Sequence, residues 1–197
     1  MKFSVLSILT LGLTAGALAA PANMERDLPT ITGVLSGIGP KVDALDSAIQ
    51  AYTGGDVTKV QQASDSLVDA INAGTTKVSG TSNLSGGDAL GLPGPVNDLK
   101  QKITTAVTHL SSKKSQIVQA GKGAQTYNDL IQQKTAAKKL SDTIVSKVPE
   151  NLQNLASGIA GGISDAIEKG VQDFQDQAGK AGKRDVEGAE AVAAIEV

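Results

Sequence analysis

The sequence predicts an all-α protein, an antiparallel bundle of about five amphipathic helices preceded by a cleaved leader. Three observations carry this expectation. Apolar residues recur at steps of three and four through several long stretches, the spacing that lines one face of a helix. No stretch shows the strict alternation of a half-buried strand. The periodic stretches are divided by short Gly- and Pro-bearing breakers, which favours neighbouring helices that reverse direction. With 197 residues, 40% of them hydrophobic, the chain suffices for one domain with a sizeable core. It holds no Cys and no Trp, with two Tyr and two Phe, so that core is built from Leu, Ile, Val and Ala without disulfides.

Met1 to Ala19 has the form of a secretory signal peptide. Lys2 gives the positive start, Val5 to Leu18 the apolar run, and Ala17-Leu18-Ala19 a small-x-small cleavage site. The run is short for a membrane span and lacks a basic stop-transfer flank, so removal and secretion are expected, without a transmembrane anchor. Residues 20–26 form a short polar lead, 27–177 the helical domain, and 178–197 a flexible acidic tail in which Lys183-Arg184 is a candidate dibasic processing site. Removal of the leader leaves 17 basic against 20 acidic residues, a net charge of −3 with no concentrated basic run. That balance argues against nucleic-acid and anionic-membrane partners.

The first helix carries Leu28, Ile31, Leu35, Ile38, Val42, Leu45, Ile49 and Tyr52. Pro29 suits a first turn, whereas Pro40, between Gly39 and Lys41, predicts a kink or break. Gly54-Gly55 closes the element, and Asp56 caps a second helix running to about Val78, with Val57, Val60, Ser64, Leu67 and Ile71 on its inner face. Residues 79–95, dense in Gly, Ser and Pro, predict a surface loop. It holds the one N-glycosylation sequon, at Asn83. A third helix spans Val96 to Val118 and is broken by Gly121 and Gly123; a fourth runs from about Ala124 to Pro149.

The fifth helix is the most strongly patterned. Leu152, Leu155, Ile159, Ile163, Ile167, Val171 and Phe174 share a face with Ala156, Ala160, Ala166 and Gly170, so bulk alternates along one broad stripe. Polar Asn154, Ser157, Asp165, Glu168 and Gln172 lie opposite. Packing against other helices explains most of such a stripe; its small positions also leave room for an apolar ligand.

Catalytic constellations are missing. The sequence contains no Gly-x-Ser-x-Gly, His-Glu-x-x-His, Gly-x-Gly-x-x-Gly or phosphate loop, and no cluster of His or Cys for a metal or cofactor. His109, the only histidine, reads as a surface or boundary residue. The pairs Asp65/Asp69 and Asp173/Asp176 lie on polar faces and read as solvated carboxylates. Lys113-Lys114 and Lys138-Lys139 lack interleaved aromatics and read as solvated faces. A non-enzymatic protein is expected.

Val42-Asp43-Ala44-Leu45 with Tyr52-Thr53-Gly54-Gly55, the run Leu140-Ser141-Asp142-Thr143-Ile144-Val145-Ser146-Lys147-Val148-Pro149, and the recurring Ile159, Ile163 and Ile167 resemble the fungal hydrophobic surface binding protein A and cell-wall galactomannoprotein family over about residues 27–174. The resemblance implies a secreted or cell-wall, all-helical protein without catalysis. It also implies binding of hydrophobic surfaces or of fatty acids between the helices, with secreted hydrolases and cell-wall polysaccharide as further partners.

The candidate apolar lining is Leu45, Ile49, Tyr52, Leu67, Ile71, Ile103, Val107, Ile144, Ile159, Ile163, Ile167 and Phe174. Each fits a plain core position more readily than a ligand contact. Tyr52 and Tyr127 are candidates to offer a hydroxyl to a carboxylate head. Burial of apolar area, about 25 cal/mol per Å², would hold a ligand without a polar anchor. Surface adhesion would instead require the helices to open and present their stripes. The alternative is a structural wall mannoprotein with no lipid ligand.

Overall fold

A computed structural model describes residues 27–180. The expected leader, the polar lead, Lys183-Arg184 and the tail from residue 181 lie outside the described residues. Five long helices carry the fold: α1 (Asp27–Ala51), α2 (Thr58–Ser79), α4 (Pro93–Ser112), α6 (Gly123–Lys147) and α7 (Glu150–Asp173). Two short helices, α3 (Gly86–Ala89) and α5 (Lys114–Gln119), and a 3-10 turn at Gln175–Gln177 join or finish them. None of the described helices is long and apolar enough to cross a membrane.

Consecutive long helices alternate in direction, but their packing is a closed ring in the order α1, α4, α7, α6, α2 and back to α1. Five members cannot alternate all the way round, and parallel neighbours result. Asp43 and Asp46 of α1 meet Lys102 and His109 of α4, and Gln61 and Ser64 of α2 meet Gln125 and Gln133 of α6. Ring packing has a geometric consequence. With helix axes about 9 Å apart, the centre of a regular pentagon lies about 8 Å from every axis. A helix with its side chains is about 5 to 6 Å in radius, which leaves a central channel roughly 2 to 3 Å in radius, near the width of an alkyl chain.

Three local expectations are corrected. Helix α1 runs through Pro40 without a break. Pro40 and Ser36 are both exposed, so the carbonyl deprived of its helical donor faces water instead of the core. The expected third helix is two: α4 stops at Ser112, where the Lys113 amide bonds back to His109 and Leu110, and Ile117 and Val118 belong to α5. Residues 79–95 are not one irregular loop. Ser85 accepts the Asp88 amide at 3.1 Å to cap α3, Leu84 is buried with its amide on the Lys147 carbonyl at 2.7 Å, and α4 already begins at Pro93.

The α1–α2 turn follows from Gly54 and Gly55, whose φ values of 113° and 83° suit residues without a Cβ. Asp56 then accepts the Thr58 amide at 2.8 Å, although the residue at the helix boundary is Val57. The Thr58 hydroxyl and amide hold the Asp56 carboxyl below its ordinary range. Lys138 and Lys139 are exposed, as expected of a solvated face, whereas the pair Lys113-Lys114 is not simply solvated. Lys113 donates to the Tyr52 carbonyl at 2.8 Å and Lys114 pairs with Asp176 at 2.6 Å, tying the α4–α5 corner to the ends of α1 and α7. Among the expected solvated carboxylates, Asp65, Asp69 and Asp176 are exposed, while Asp173 is half-buried and accepts the Ser111 hydroxyl.

Candidate functional site: an apolar interior

The ring's centre is a cavity running from Val148 and Leu152, beside the α6–α7 corner, to Val60 and Thr126 in the first turns of α2 and α6. It holds about 1380 Å³ of atom-free space, its mouth included, of which about 100 Å³ takes the centre of a water molecule. The interior is therefore narrow, and seating a long acyl chain requires its walls to part. Ten of the sequence-predicted residues line it: Leu45, Ile49, Leu67, Ile71, Ile103, Val107, Ile144, Ile159, Ile163 and Ile167.

Two are placed differently. Phe174 is 0% exposed and closes the bundle beneath the 3-10 turn, away from the cavity wall, with the Lys114 ammonium 5.8 Å from its ring centre. Tyr52 lines a smaller neighbouring recess instead. Its position as the last apolar residue of the α1 stripe carried it one turn past the central channel. Tyr127 is half-buried and lines neither space.

Sequence reasoning placed Ser64 on the inner face of α2 but missed Gln133 and Asp129, its polar companions in the wall. Gln133 on α6 and Ser64 on α2, both buried, are hydrogen-bonded at 2.8 Å, the Gln133 amide donating to the hydroxyl. Ser64 was legible as an inward position from its spacing between Val60 and Leu67. Gln133 was legible only as one turn before Ala137 on α6, a weak signal for a polar residue. Asp129 lies one turn from Gln133 and also lines the cavity. Burial pushes the Asp129 carboxyl above its ordinary range, opposed by the hydrogen bond from Gln61 and assisted by the Asp65 charge. Thr126 and Ser141 are the other polar residues of the lining, and the rest of the wall is hydrocarbon.

The mouth lies at the other end. Leu90, 64% exposed, and Leu155, 55% exposed, both line the cavity. The first half of α7 is its loosest wall: Leu152, Ala156 and Ile159 are only half-buried, whereas Ala160, Ile163, Ile167 and Val171 are buried. The Lys134–Glu168 ion pair fastens the second half of α7 to α6, and the Lys134 contact holds the Glu168 carboxyl below its ordinary range.

No cluster of His, Asp and Glu among the described residues could hold a metal ion. His109 is half-buried and pairs with Asp46 at 2.6 Å on the outer surface of the α1–α4 seam. What fold and site define together is an all-helical bundle closed around an apolar, chain-shaped interior.

Residues 28–146 match the family described as Hydrophobic surface binding protein A, and this chain belongs to that family. It is 46% identical over 176 residues to Cell wall mannoprotein 1 of Aspergillus flavus and 43% identical over 182 residues to that of Aspergillus fumigatus. These alignments cover 89% and 92% of this chain but 63% of each relative, so the chain spans about three-fifths of their length. Among solved structures it is similar to ligand binding domain 2 of the Penicillium marneffei MP1 protein, complexed with multiple arachidonic acids. That likeness has a TM-score of 0.72 and 35% identity over 76% of this chain and 96% of the other. Domain 1 of the same protein, complexed with arachidonic acids, gives 0.72 and 34% over 76% and 99%. Both neighbours are described as ligand binding domains.

Proposed function

We propose that the chain is a secreted or cell-wall lipid-binding protein that encloses a fatty acid in its interior, with the carboxyl end at Ser64–Gln133 and the tail toward Leu90 and Leu155. The observation that carries this reading is the apolar cavity interrupted midway by one buried polar pair. A ligand carboxylate has a hydrogen-bond donor available there in the Ser64 hydroxyl, and the Gln133 amide carries a second N–H. Enclosure supplies about 0.8 kcal/mol per methylene, so a dozen buried methylenes provide about 10 kcal/mol before the costs of ordering the chain and parting the walls. The arachidonic acids bound by the two similar MP1 domains support this choice of ligand.

The relatives' description as cell wall mannoproteins, the leader at residues 1–19 and exposed Asn83 support a secreted, glycosylated product. Adhesion to hydrophobic surfaces would draw on the same stripes, opened at α7.

Displacement of a fluorescent fatty acid by palmitic acid from the delipidated mature chain tests the reading. The native chain is expected to bind, and Ile163→Trp, which fills the interior, is expected to lose at least about tenfold in affinity while staying helical. Undiminished binding by Ile163→Trp would place the ligand elsewhere.

A further inference from the structure

We infer that the recess beyond Asp129 is a second polar station, which takes the hydroxylated head of a neutral acyl lipid of the monoacylglycerol type while the acyl carbonyl sits at Ser64–Gln133. This inference rests on the acyl-chain reading above and extends it to the head group. The recess has about 350 Å³ of atom-free space, its opening to solvent included, of which about 20 Å³ takes the centre of a water molecule. A head group must therefore part its walls as the acyl chain parts those of the main cavity. The recess shares Ile49, Val60, Thr126 and Asp129 with that cavity, so the two adjoin along one wall. Tyr52 lines it, is 5% exposed, and has a buried hydroxyl with no hydrogen-bond partner. A buried hydroxyl left unpaired is a standing cost that a ligand oxygen would relieve.

The chemistry selects a neutral head. Asp129 accepts a hydrogen bond from Gln61 at 3.4 Å, and its carboxyl has further acceptor capacity for a ligand O–H. A ligand carboxylate in the same place would face Asp129 with Asp65 acting close by, a like-charge arrangement. Two cations line the same recess: Lys113, whose ammonium is held on the Tyr52 carbonyl at 2.8 Å, and Lys122, whose charge acts on Asp56. A neutral head is therefore preferred for its fit to Tyr52 and Asp129 together and not for the net charge of the lining. A hydroxyl that donates to Asp129 and accepts from Tyr52 satisfies both.

Position selects the lipid. Asp129 and Gln133 are one turn apart on α6, and Gln61 and Ser64 nearly so on α2, which separates the stations by about 5 Å, the span of a glycerol head. The apolar mouth is at the opposite end, so the tail and the hydroxylated head leave the Ser64–Gln133 pair in opposite directions.

The test is titration of the delipidated mature chain, and of its Tyr52→Phe and Asp129→Leu variants, with palmitic acid and with 1-monopalmitoylglycerol. Both lipids are expected to bind the native chain. Tyr52→Phe should weaken monopalmitoylglycerol about three- to tenfold and leave palmitic acid unchanged, since it removes one hydrogen bond and no volume. Asp129→Leu should weaken monopalmitoylglycerol by at least as much. Palmitic acid binding without monopalmitoylglycerol binding would overturn the second station and spare the acyl-chain reading. Equal effects of Tyr52→Phe on both lipids, or none on either, would overturn the station as well; failure of both lipids to bind would overturn both readings.

Discussion

If the first half of α7 is the wall that parts to admit a chain, stiffening it must slow uptake by an amount that the structure lets one work out. Gly158 and Gly161 lie in this segment, and a Cβ at either would meet nothing within 4 Å, so alanine fits both without strain. Gly162 is less suitable, because a Cβ there would come within 2.9 Å of the Lys100 ammonium. Each Gly→Ala change in a helix interior is worth about 0.5 to 1 kcal/mol. The double variant Gly158→Ala/Gly161→Ala therefore gains about 1 to 2 kcal/mol, and Tm should rise by roughly 2 to 8 °C for a chain of this size. Where uptake requires this half-helix to unfold, its open population falls by the same free energy, about 5- to 30-fold. Stopped-flow uptake of a fluorescent fatty acid measures the rate and calorimetry measures Tm. A raised Tm with an unchanged uptake rate would refute α7 as the moving wall.

Three further outcomes are expected. Ser64→Ala strands the buried Gln133 amide and should cost about 1 to 3 kcal/mol, whereas Ser64→Ala/Gln133→Leu should cost less than the single change, as urea titration of the two variants would show. Gly74→Ala should destabilise by about 1 to 3 kcal/mol despite its better helix propensity, because the new Cβ would lie 2.5 Å from a Val34 methyl; an unchanged Tm would mean that the α1–α2 seam is looser than described. Burial raises the Asp129 pKa, so the folded chain holds that proton more tightly than the unfolded one. The resulting stability is present below the ordinary carboxylate value of about 3.9 and is lost as pH rises through the raised folded value. Asp129→Asn should thus melt above the native chain at pH 7, with the gap closing below about pH 4. A gap independent of pH would contradict this. Comparison with the variant isolates Asp129 from Asp56, Glu168 and Asp176, whose lowered values act in the opposite sense, their contributions fading as pH falls.

The helices were legible because burial in a ring demands one broad apolar face per helix, and Ile31 through Ile49, Leu67 and Ile71, and Ile159 through Val171 display it directly. The cavity followed from the same spacing, since residues aimed at the ring's centre and residues buried in its seams differ by only a small rotation about the helix. Phe174 and Tyr52 fell outside the channel for a different reason, since at the ends of their stripes they lie beyond its end. The α4–α5 break was hidden for a complementary reason: Ile117 keeps the helical spacing from Leu110, and the corner is made by Lys113 reaching the Tyr52 carbonyl, a contact 61 residues away in sequence. Gln133 was illegible because a glutamine on a helix is ordinarily a surface residue; only Ser64 across the seam makes its burial affordable.

Native mass spectrometry of the mature chain, purified from its secreting host without detergent, tests enclosure most directly. A stoichiometric acyl lipid that is retained in the gas phase and missing from Ile163→Trp is the expected result. A chain that carries no lipid, takes up none when palmitic acid is supplied, and still adsorbs to a hydrophobic surface would contradict enclosure and leave the opened bundle as the working form.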